Sequence, residues 1–344
     1  MTKEQINILL SKGVFPDHSG NRELIETHIS WVIISDPFVY KIKKPVHYSF
    51  LNFSTIELRK HFCMKEIKLN KRLTEHIYLG VQPIRKWQRI FIIGGNDGTI
   101  VDYAVKMNKM DREKQMDNLL LRNKVTACDI KSLAEKTAFF HKHTNIIFKK
   151  KDLHEIDKKF NDLKGEKEYL AKRLGNKYRH IISHAIEDSD LFLEKNKKLL
   201  ISRMNKGFTR DCHGDLHSKN IFLLPEPVPF DCIEFNDDFR QIDVLNEVAF
   251  LCMDLDAFGK QDLSDLYIHY YNQLFHTIKT RQDYALFTYY KAYRANIRAK
   301  VNSLRAKSTK NKTDKTKALG MAKKYLLLMD SYLESLRATK LIKE

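Results

Sequence analysis

The sequence predicts an α+β protein with a small β-rich N-terminal lobe, containing one long helix, and a larger helical C-terminal lobe. β-branched and aromatic runs separated by turn residues fill roughly the first 107 positions, and helical patterns dominate the rest. Glycine (12) and proline (7) are scarce among the 344 residues, which favours helix. At about 150 residues per domain, this length corresponds to roughly two domains or one two-lobed fold. We therefore assign residues 1–107 to the first lobe and residues 108–344 to the second.

The N-terminal lobe is predicted to begin with a short helix over residues 3–12. The run from His28 to Lys43 is β-branched and aromatic and breaks at Ser35-Asp36-Pro37, which predicts two strands joined by a tight turn. The sequence from Ser54 to Glu57 matches an S-x-x-E capping box, so a long helix is predicted from there to about residue 76. Further strands are predicted at residues 81–85, 89–93 and 100–107, with a hairpin turn at residues 94–98 between the last two.

The pattern changes to helices after Asp111. Helices are predicted at residues 126–143 and between residues 153 and 200, and short strands interrupt them between Arg210 and Asp243. Helices then continue to the end, except at the low-complexity run of residues 307–317, which is predicted to be a solvated loop. No repeat with a period of about 20–50 residues is present.

Composition excludes several classes of protein. Apolar residues make up 43% and charged residues 30%, as in globular proteins. No apolar run approaches the ~18 residues of a membrane span, and the N-terminus lacks the pattern of a signal peptide. The five cysteines form no CxxC pair, so we expect small buried apolar side chains rather than disulfides or zinc ligands. We therefore expect a soluble cytoplasmic protein without a membrane partner.

The charge is unevenly distributed along the chain. There are 61 basic and 43 acidic residues, a formal net charge of +18. Residues 291–344 contain 15 basic and 4 acidic side chains, whereas residues 220–258 contain 9 acidic and one basic. The acidic segment is expected to meet cations. The basic segment indicates either a surface for an anionic partner or an ordinary lysine-rich solvated surface.

The strongest motif is the string His-Gly-Asp-Leu-His-Ser-Lys-Asn at residues 213–220, followed by Phe-Asp at residues 230–231. Phosphoryl transfer needs a carboxylate to orient the acceptor hydroxyl, and an amide and a second carboxylate to hold magnesium. The spacing of Asp215 and Asn220 matches the D-x-x-x-x-N of kinase catalytic loops, and Asp231 follows a predicted strand at residues 221–224. The motif predicts a phosphoryl-transfer site; the alternative is an Asx-turn cluster in an ordinary loop.

A second signal is a carboxylate on the apolar face of the long predicted helix. Residues spaced by three or four positions share this face: Leu58, Phe62, Glu66, Leu69 and Leu73. A buried carboxylate costs several kcal/mol unless it is paired, so Glu66 needs a cation. Alternation along the preceding strand places Lys41 and Lys43 on one face, and kinases pair such a strand lysine with a helix glutamate. The alternative is that Glu66 reaches water at the edge of the face.

Taken together, these motifs are similar to those of the aminoglycoside phosphotransferase-like kinases, most closely an uncharacterised bacterial branch. The strings shared with this branch are Glu26–Trp31, Val39–Pro45, Phe50–Thr55, Asp102–Met107 and Phe230–Asp237, with Ile242-Asp243. The resemblance runs from about residue 25 to residue 300. It implies a bilobal protein-kinase-like fold in which ATP binds between the lobes, the first lobe binds the nucleotide, and the second carries the catalytic loop and the acceptor site.

The resemblance also implies roles for individual residues. Asp215 would be the catalytic base, and Asn220 and Asp231 would be magnesium ligands. Lys41 would be the phosphate-binding lysine with Glu66 as its partner, and Lys43 is the alternative lysine. No G-x-G-x-x-G loop is present, which leaves the phosphates to the lysine and to the backbone of Ser35 and Asp36; Met107 is also assigned to the nucleotide site. Some relatives carry a P-loop domain, but no GxxxxGK[ST] string occurs in this sequence.

Other polar residues near the motifs are expected to be structural. Glu234 is assigned as a supporting partner in the site and Asp243 as a cap on the catalytic loop. His217 is expected to pack within its loop. Tyr289, Tyr290 and Tyr293 are expected in the core.

The most consistent function is an ATP- and Mg²⁺-dependent phosphotransferase acting on a hydroxyl group of a small molecule. Tyr290, Arg294 and Arg298 recur every four residues and form one helix face, and arginine forks suit carboxylate or phosphate groups. This favours a neutral or anionic acceptor over an aminoglycoside, unless the face packs against a neighbouring helix.

Two other functions remain open. The chain could be a nucleotide-binding regulator or protein-directed kinase. Less favoured is a nucleic-acid-binding protein that uses its positive charge; we do not expect nucleic acid as a partner.

Overall fold

The structure is a computed structural model that describes residues 1–16, 21–148, 154–339 and 342. Residue 153, where the second group of predicted helices begins, lies outside these ranges. The chain divides into two compact units. The first consists of Met1–Leu119 and Lys219–Arg240, and the second of Leu120–Ser218 and Gln241–Glu344. The first unit is therefore built from two separate stretches of sequence.

The strands and helices follow one another in the order expected of an α+β chain. The strands are β1 (Arg22–Glu26), β2 (Ser30–Ser35), β3 (Phe38–Lys43), β4 (His47–Tyr48), β5 (Leu51–Asn52), β6 (Tyr78–Trp87), β7 (Ile90–Ile93), β8 (Thr99–Asn108), β9 (Thr209–Asp211), β10 (Ile221–Phe222), β11 (Val228–Pro229) and β12 (Gln241–Asp243). The helices are α1 (Lys3–Lys12), α2 (Ile56–Asn70), α3 (Met116–Leu121), α4 (Ala127–His143), α5 (His154–Asn161), α6 (Lys167–Leu174), α7 (Lys177–Lys195), α8 (Lys197–Asn205), α9 (Asp237–Arg240), α10 (Val244–Ala257), α11 (Gln261–Leu274), α12 (Arg281–Ser308) and α13 (Lys312–Ala338).

The first unit contains an antiparallel sheet in the order β1-β2-β3-β8-β6-β7. One face of this sheet packs against α1, where Ile6 and Leu9 join Tyr40 and Ile42 of β3 in a buried core. Helix α2 packs against β6 and β8. Because side chains alternate along a strand, Lys41 and Lys43 lie on the face opposite to Tyr40 and Ile42. The predicted short helix, the β2–β3 pair and the three later strands are confirmed.

Two local predictions in this unit were wrong. Residues 94–98 do not form a hairpin turn, because β6 pairs with both β7 and β8 and lies between them. Helix α2 begins after Thr55, whose hydroxyl accepts the Leu58 N–H, and not within a capping box at Ser54. It also ends at Asn70 rather than near residue 76. Strand alternation predicts that a strand exists but does not predict its neighbours, and adjacent Ser and Thr are equivalent capping candidates.

The second unit is helical, with α10, α11, α12 and α13 packed against one another. The predicted loop at residues 307–317 was wrong, since α12 continues to Ser308 and α13 begins at Lys312. Lysine is a good helix former, and the Asn311 side chain caps α13 by accepting the Asp314 N–H. The three tyrosines assigned to the core are buried, as are the cysteines except Cys128, which is exposed. Among the described residues, no helix is both long and apolar enough to cross a bilayer.

Candidate active site

The centre of the first unit's candidate site is a cluster of two lysines and three carboxylates. Each carboxylate oxygen of Glu66 on α2 accepts a hydrogen bond from a different lysine of β3, from Lys41 at 2.8 Å and from Lys43 at 2.7 Å. Lys41 also pairs with Asp231, and Lys43 pairs with Glu234. Glu66 therefore lies between two cations, and each cation lies between two anions.

The members of this cluster differ in exposure. The Glu66 side chain is fully buried, and that of Lys43 is 1% exposed. Lys41 is 15% exposed, whereas Asp231 is 42% exposed. The cluster thus has three buried members, Glu66, Lys43 and Glu234, and two outer members, Lys41 and Asp231, that reach solvent.

The charges explain why ionised groups persist in this buried place. Burial alone would raise the pKa of the Glu66 carboxyl, but the ammonium groups of Lys41 and Lys43 outweigh it and lower that pKa to about 2. Burial would lower the pKa of Lys41, yet Asp231 and Glu66 raise it well above its ordinary value. The pKa of Glu234 is raised, chiefly by burial.

The β10–β11 hairpin brings the two predicted magnesium ligands, Asn220 and Asp231, to the same end of this two-stranded sheet. Ile221 pairs with Pro229, and the carbonyl of Asn220 accepts the N–H of Phe230 at 2.9 Å. Asp231 follows directly. An amide oxygen and a carboxylate are hard oxygen donors of the kind that Mg²⁺ prefers, and the Asp231 carboxylate is accessible. The residues present therefore fit a magnesium ion.

The remaining residues assigned to the nucleotide lie at the end of β2, in the turn after it and on β8. Ser35 ends β2, and Asp36 in the following turn pairs with Lys109 at 2.7 Å. Met107 on β8 stands opposite Val39 of β3. It packs against an apolar cluster of the first unit made of Cys63, Ile77, Tyr78, Val105 and Phe222.

The second unit carries the part of the kinase-like motif that runs from His213 to Ser218. The Glu247 carboxylate of α10 accepts the backbone N–H groups of His213, at 2.9 Å, and Gly214. Further along the loop, Asp254 of α10 accepts the Ser218 N–H at 2.9 Å. Two carboxylates that lie two turns apart on one buried helix therefore fix the loop on either side of Asp215.

Glu247 is itself supported by a buried histidine. His141 of α4 lies 2.9 Å from Glu247 through Nε2 and 2.7 Å from the Tyr271 hydroxyl through Nδ1. Burial would raise the pKa of the Glu247 carboxyl, but the hydrogen bond from His141 contributes most to lowering it to about 2. His141, Cys212 and Glu247 lie close enough together to resemble a metal site. Because both ring nitrogens of His141 are already hydrogen-bonded, we interpret this cluster as support for the loop.

Asp215 is held as an anion. Its carboxylate lies 3.4 Å from His217 Nε2, and its side chain is 38% exposed. Burial acts to raise the pKa of Asp215, but His217 and then Arg298 outweigh it, so the pKa lies well below its ordinary range. His217 is buried against Phe250, as expected of a packing histidine, and additionally contacts the carboxylate predicted to be catalytic.

The arginine face of α12 packs within the second unit. Arg294 is buried, donates to the Gly214 carbonyl at 3.2 Å and donates to the Asn246 side chain at 2.7 Å. Tyr290 is also buried, and Arg298 is half-buried over the Tyr325 ring. The packing alternative therefore holds for Tyr290 and Arg294, although Arg294 binds an amide and a carbonyl rather than a carboxylate.

The sequence reasoning did not identify several residues that build the site. Glu247 and Asp254 carried a usable signal, because they are acidic positions in the otherwise apolar pattern of α10. Tyr78 and Asn70, whose side chains accept the backbone N–H groups of Asp231 and Cys232, carried no such signal in the sequence.

Glu234 and Asp243 were assigned structural roles. Glu234 pairs with Lys43. Asp243, which was expected to cap the catalytic loop, instead caps α10 by accepting the Leu245 N–H, and it binds Arg203 at 2.6 Å.

Comparison with known proteins shows the class of fold. The structure has the protein-kinase-like fold of choline kinase from Cryptosporidium parvum, with a TM-score of 0.56 at 9% identity over 94% of this chain and 91% of that one. It is also similar to an aminoglycoside phosphotransferase from Alicyclobacillus acidocaldarius, with a TM-score of 0.52 at 12% identity over 98% and 96% of the two chains. These matches confirm the predicted fold and, at the level of the fold, the resemblance to aminoglycoside phosphotransferase-like kinases.

Comparison of sequences gives relatives without a described activity. The chain is 28% identical over 288 residues to uncharacterized proteins of Mycobacterium tuberculosis and Mycobacterium bovis. The match covers 81% of this chain and 54% of each relative, so the chain spans about half their length. No family model matches the sequence.

Proposed function

We propose that this protein is a kinase that transfers the γ-phosphoryl group of ATP to a hydroxyl group of a small molecule. The observation that carries the proposal is the ion-pair chain Asp231–Lys41–Glu66, in which one lysine joins a helix glutamate and a candidate metal ligand. The solved structures with this fold include a choline kinase, an ethanolamine kinase and an aminoglycoside phosphotransferase. In this proposal residues 1–107 bind the nucleotide and residues 108–344 carry the catalytic loop and the acceptor site.

Lys41 is the better candidate for the phosphate-binding lysine. Its ammonium group pairs with the half-exposed Asp231 and keeps some exposure, so it can exchange that partner for a phosphate oxygen. Lys43 is enclosed between Glu66 and Glu234 and is 1% exposed, which leaves it no path to a ligand. Glu66 then orients Lys41, while Lys43 neutralises the second oxygen of Glu66. The backbone of Ser35 and Asp36 and the side chain of Met107 complete the proposed nucleotide contacts.

Asn220 and Asp231 would hold Mg²⁺. When bound, this ion neutralises charge on the phosphates during transfer. The cluster has three carboxyl groups against two ammonium groups, so an added cation is electrostatically favourable.

Asp215 is the proposed catalytic base. Because its pKa is held low, the carboxylate is ionised at neutral pH and accepts the hydrogen bond of the acceptor hydroxyl, which orients the oxygen towards the γ-phosphorus. As the new O–P bond forms and the bond to the β-phosphate oxygen breaks, ADP leaves and the hydroxyl proton passes to Asp215. The Glu247 and Asp254 contacts keep the loop in one conformation, which reduces the entropic cost of this alignment.

The acceptor is proposed to be a neutral or anionic hydroxyl compound. The structure weakens the support for this class of acceptor. Arg294 is committed to the loop through the Gly214 carbonyl, so of the two arginines on this helix face Arg298, which is half-buried, is the one left to meet an acceptor.

The decisive experiment is coupled detection of ADP with fractionated metabolite extracts as acceptors, run with and without Mg²⁺. We expect Mg²⁺-dependent ADP formation that Asp215→Ala abolishes, and no stimulation by kanamycin. Equal ADP formation in wild type and Asp215→Ala would refute the proposed function.

A further inference from the structure

Asp231 has an unusual backbone conformation for a residue with a side chain. Its φ is +63°, in the left-handed region that favours glycine, and among the described residues it shares a positive φ with just two other non-glycine residues, Gln88 and Asn123. Aspartate tolerates this region better than most residues, but tertiary contacts must still select it. The side chain that emerges from this backbone is the one that pairs with Lys41.

Two buried side chains bind consecutive backbone amides at this point. The Tyr78 hydroxyl, at the start of β6, accepts the Asp231 N–H at 3.0 Å. Asn70, the last residue of α2, accepts the Cys232 N–H through Oδ1 at 2.9 Å and donates through Nδ2 to the Glu66 carbonyl at 2.8 Å. Tyr78 is 1% exposed and Asn70 is 0% exposed. The Asp231–Cys232 backbone is therefore held by α2 and β6.

These bonds cannot be replaced cheaply. The bond from the Cys232 N–H is buried and the bond from the Asp231 N–H is part-buried, so an amide hydrogen that loses its partner there is incompletely compensated by water. The Tyr78 ring is fixed in the apolar cluster with Ile77, Val105 and Phe222, so its hydroxyl has a defined position.

We propose that Tyr78 is a positioning residue for the metal site: its hydroxyl selects the left-handed backbone at Asp231 and so aims the Asp231 carboxylate at Mg²⁺. Asn70 fixes the backbone of the next residue, Cys232, in the same way and connects it to α2, the helix that carries Glu66. This inference rests on the proposed function, in which Asp231 is a metal ligand. Tyr78 acts through Asp231 and touches neither the phosphates nor the acceptor.

The test compares Tyr78→Phe with Tyr103→Phe. Tyr103 on β8 packs against the same apolar cluster, so Tyr103→Phe is a matched control for the loss of a tyrosine hydroxyl group. The probe is a fluorescent ADP analogue, bound with and without Mg²⁺, and the measured quantity is the Mg²⁺ concentration for half-maximal binding. Loss of groups that orient metal ligands typically costs about 10–100-fold in metal affinity. We expect Tyr78→Phe to raise the Mg²⁺ requirement by roughly 10-fold, with metal-free binding within about twofold of wild type and Tyr103→Phe unchanged.

The outcomes separate this inference from the function on which it rests. If Tyr78→Phe needs the same Mg²⁺ concentration as wild type, the positioning role is refuted while the kinase proposal stands. If Asp231→Asn also leaves the Mg²⁺ requirement unchanged, the metal assignment itself fails. In the double variant Tyr78→Phe/Asp231→Asn, no further effect of the tyrosine is expected, because Tyr78 acts through Asp231. Should Tyr78→Phe not fold, Asn70→Ser gives the same test at the next amide: a several-fold rise in Mg²⁺ requirement supports the proposal and an unchanged one overturns it.

Discussion

The buried Glu66 carboxylate allows the strongest quantitative prediction. Substitution by alanine would leave the ammonium groups of Lys41 and Lys43 with one carboxylate each, at Asp231 and Glu234. Breaking a buried ion pair costs about 3–5 kcal/mol. A carboxyl whose pKa falls from 4.5 to about 2 on folding contributes roughly 3 kcal/mol at neutral pH. Because each lysine keeps a second partner, we predict a loss near the lower value, about 3 kcal/mol in the free energy of unfolding.

The assay is urea unfolding of Glu66→Ala and Glu66→Gln at several pH values. Since the folded-state pKa of Glu66 is lowered, its stabilisation is present above pH 4.5 and is lost as pH falls from 4.5 towards 2. The wild type should show this loss, and Glu66→Gln should lack that component. Glu57→Ala, at an exposed position in the first turn of the same helix, is the control and should change stability by less than about 1 kcal/mol. A loss below about 1 kcal/mol for Glu66→Ala would refute the reasoning.

The other predictions concern the division of roles within the site. Asp231→Ala should abolish Mg²⁺-dependent ADP production while leaving the melting curve close to wild type; retained production contradicts the metal assignment. Lys43→Met should lower the free energy of unfolding by about 3 kcal/mol, because it leaves Glu66 and Glu234 short of a cation. Lys41→Met should mainly raise the KM for ATP. Similar effects of the two variants on that KM would show that the two lysines do not have different roles. Glu247→Gln should lower kcat by up to ~100-fold through loss of loop alignment, with the KM for ATP nearly unchanged; an unchanged kcat argues against the loop-support role.

The parts of the site that the sequence predicted are those governed by local periodicity. Alternation along β3 placed Lys41 and Lys43 on one face, and the three- and four-residue spacing of α2 placed Glu66 on a buried face. The order of strands was not predictable in this way, because nothing local shows that β6 lies between β7 and β8. The same limit applies to Tyr78 and Asp231, which are 153 positions apart and meet through a single hydrogen bond. Such a contact produces no periodic pattern in the sequence.

The acidic segment of residues 220–258 shows how much about binding partners could be predicted from charge alone. Its concentration of carboxylates predicted cations, and within each unit several meet cations of the chain itself: Asp231 and Glu234 bind lysines of β3, Asp243 binds Arg203, and Asp256 binds Lys291. Others, such as Glu247 and Asp254, bind backbone amides of the proposed catalytic loop.

A buried carboxylate is tolerated only when it is paired or hydrogen-bonded, so most of these positions are explained by folding before any ligand is considered. Asp231 differs because its carboxylate is 42% exposed and shares its lysine with Glu66. The combination of partial exposure and a shared cation, rather than acidity, is what distinguishes the proposed metal ligand from its structural neighbours.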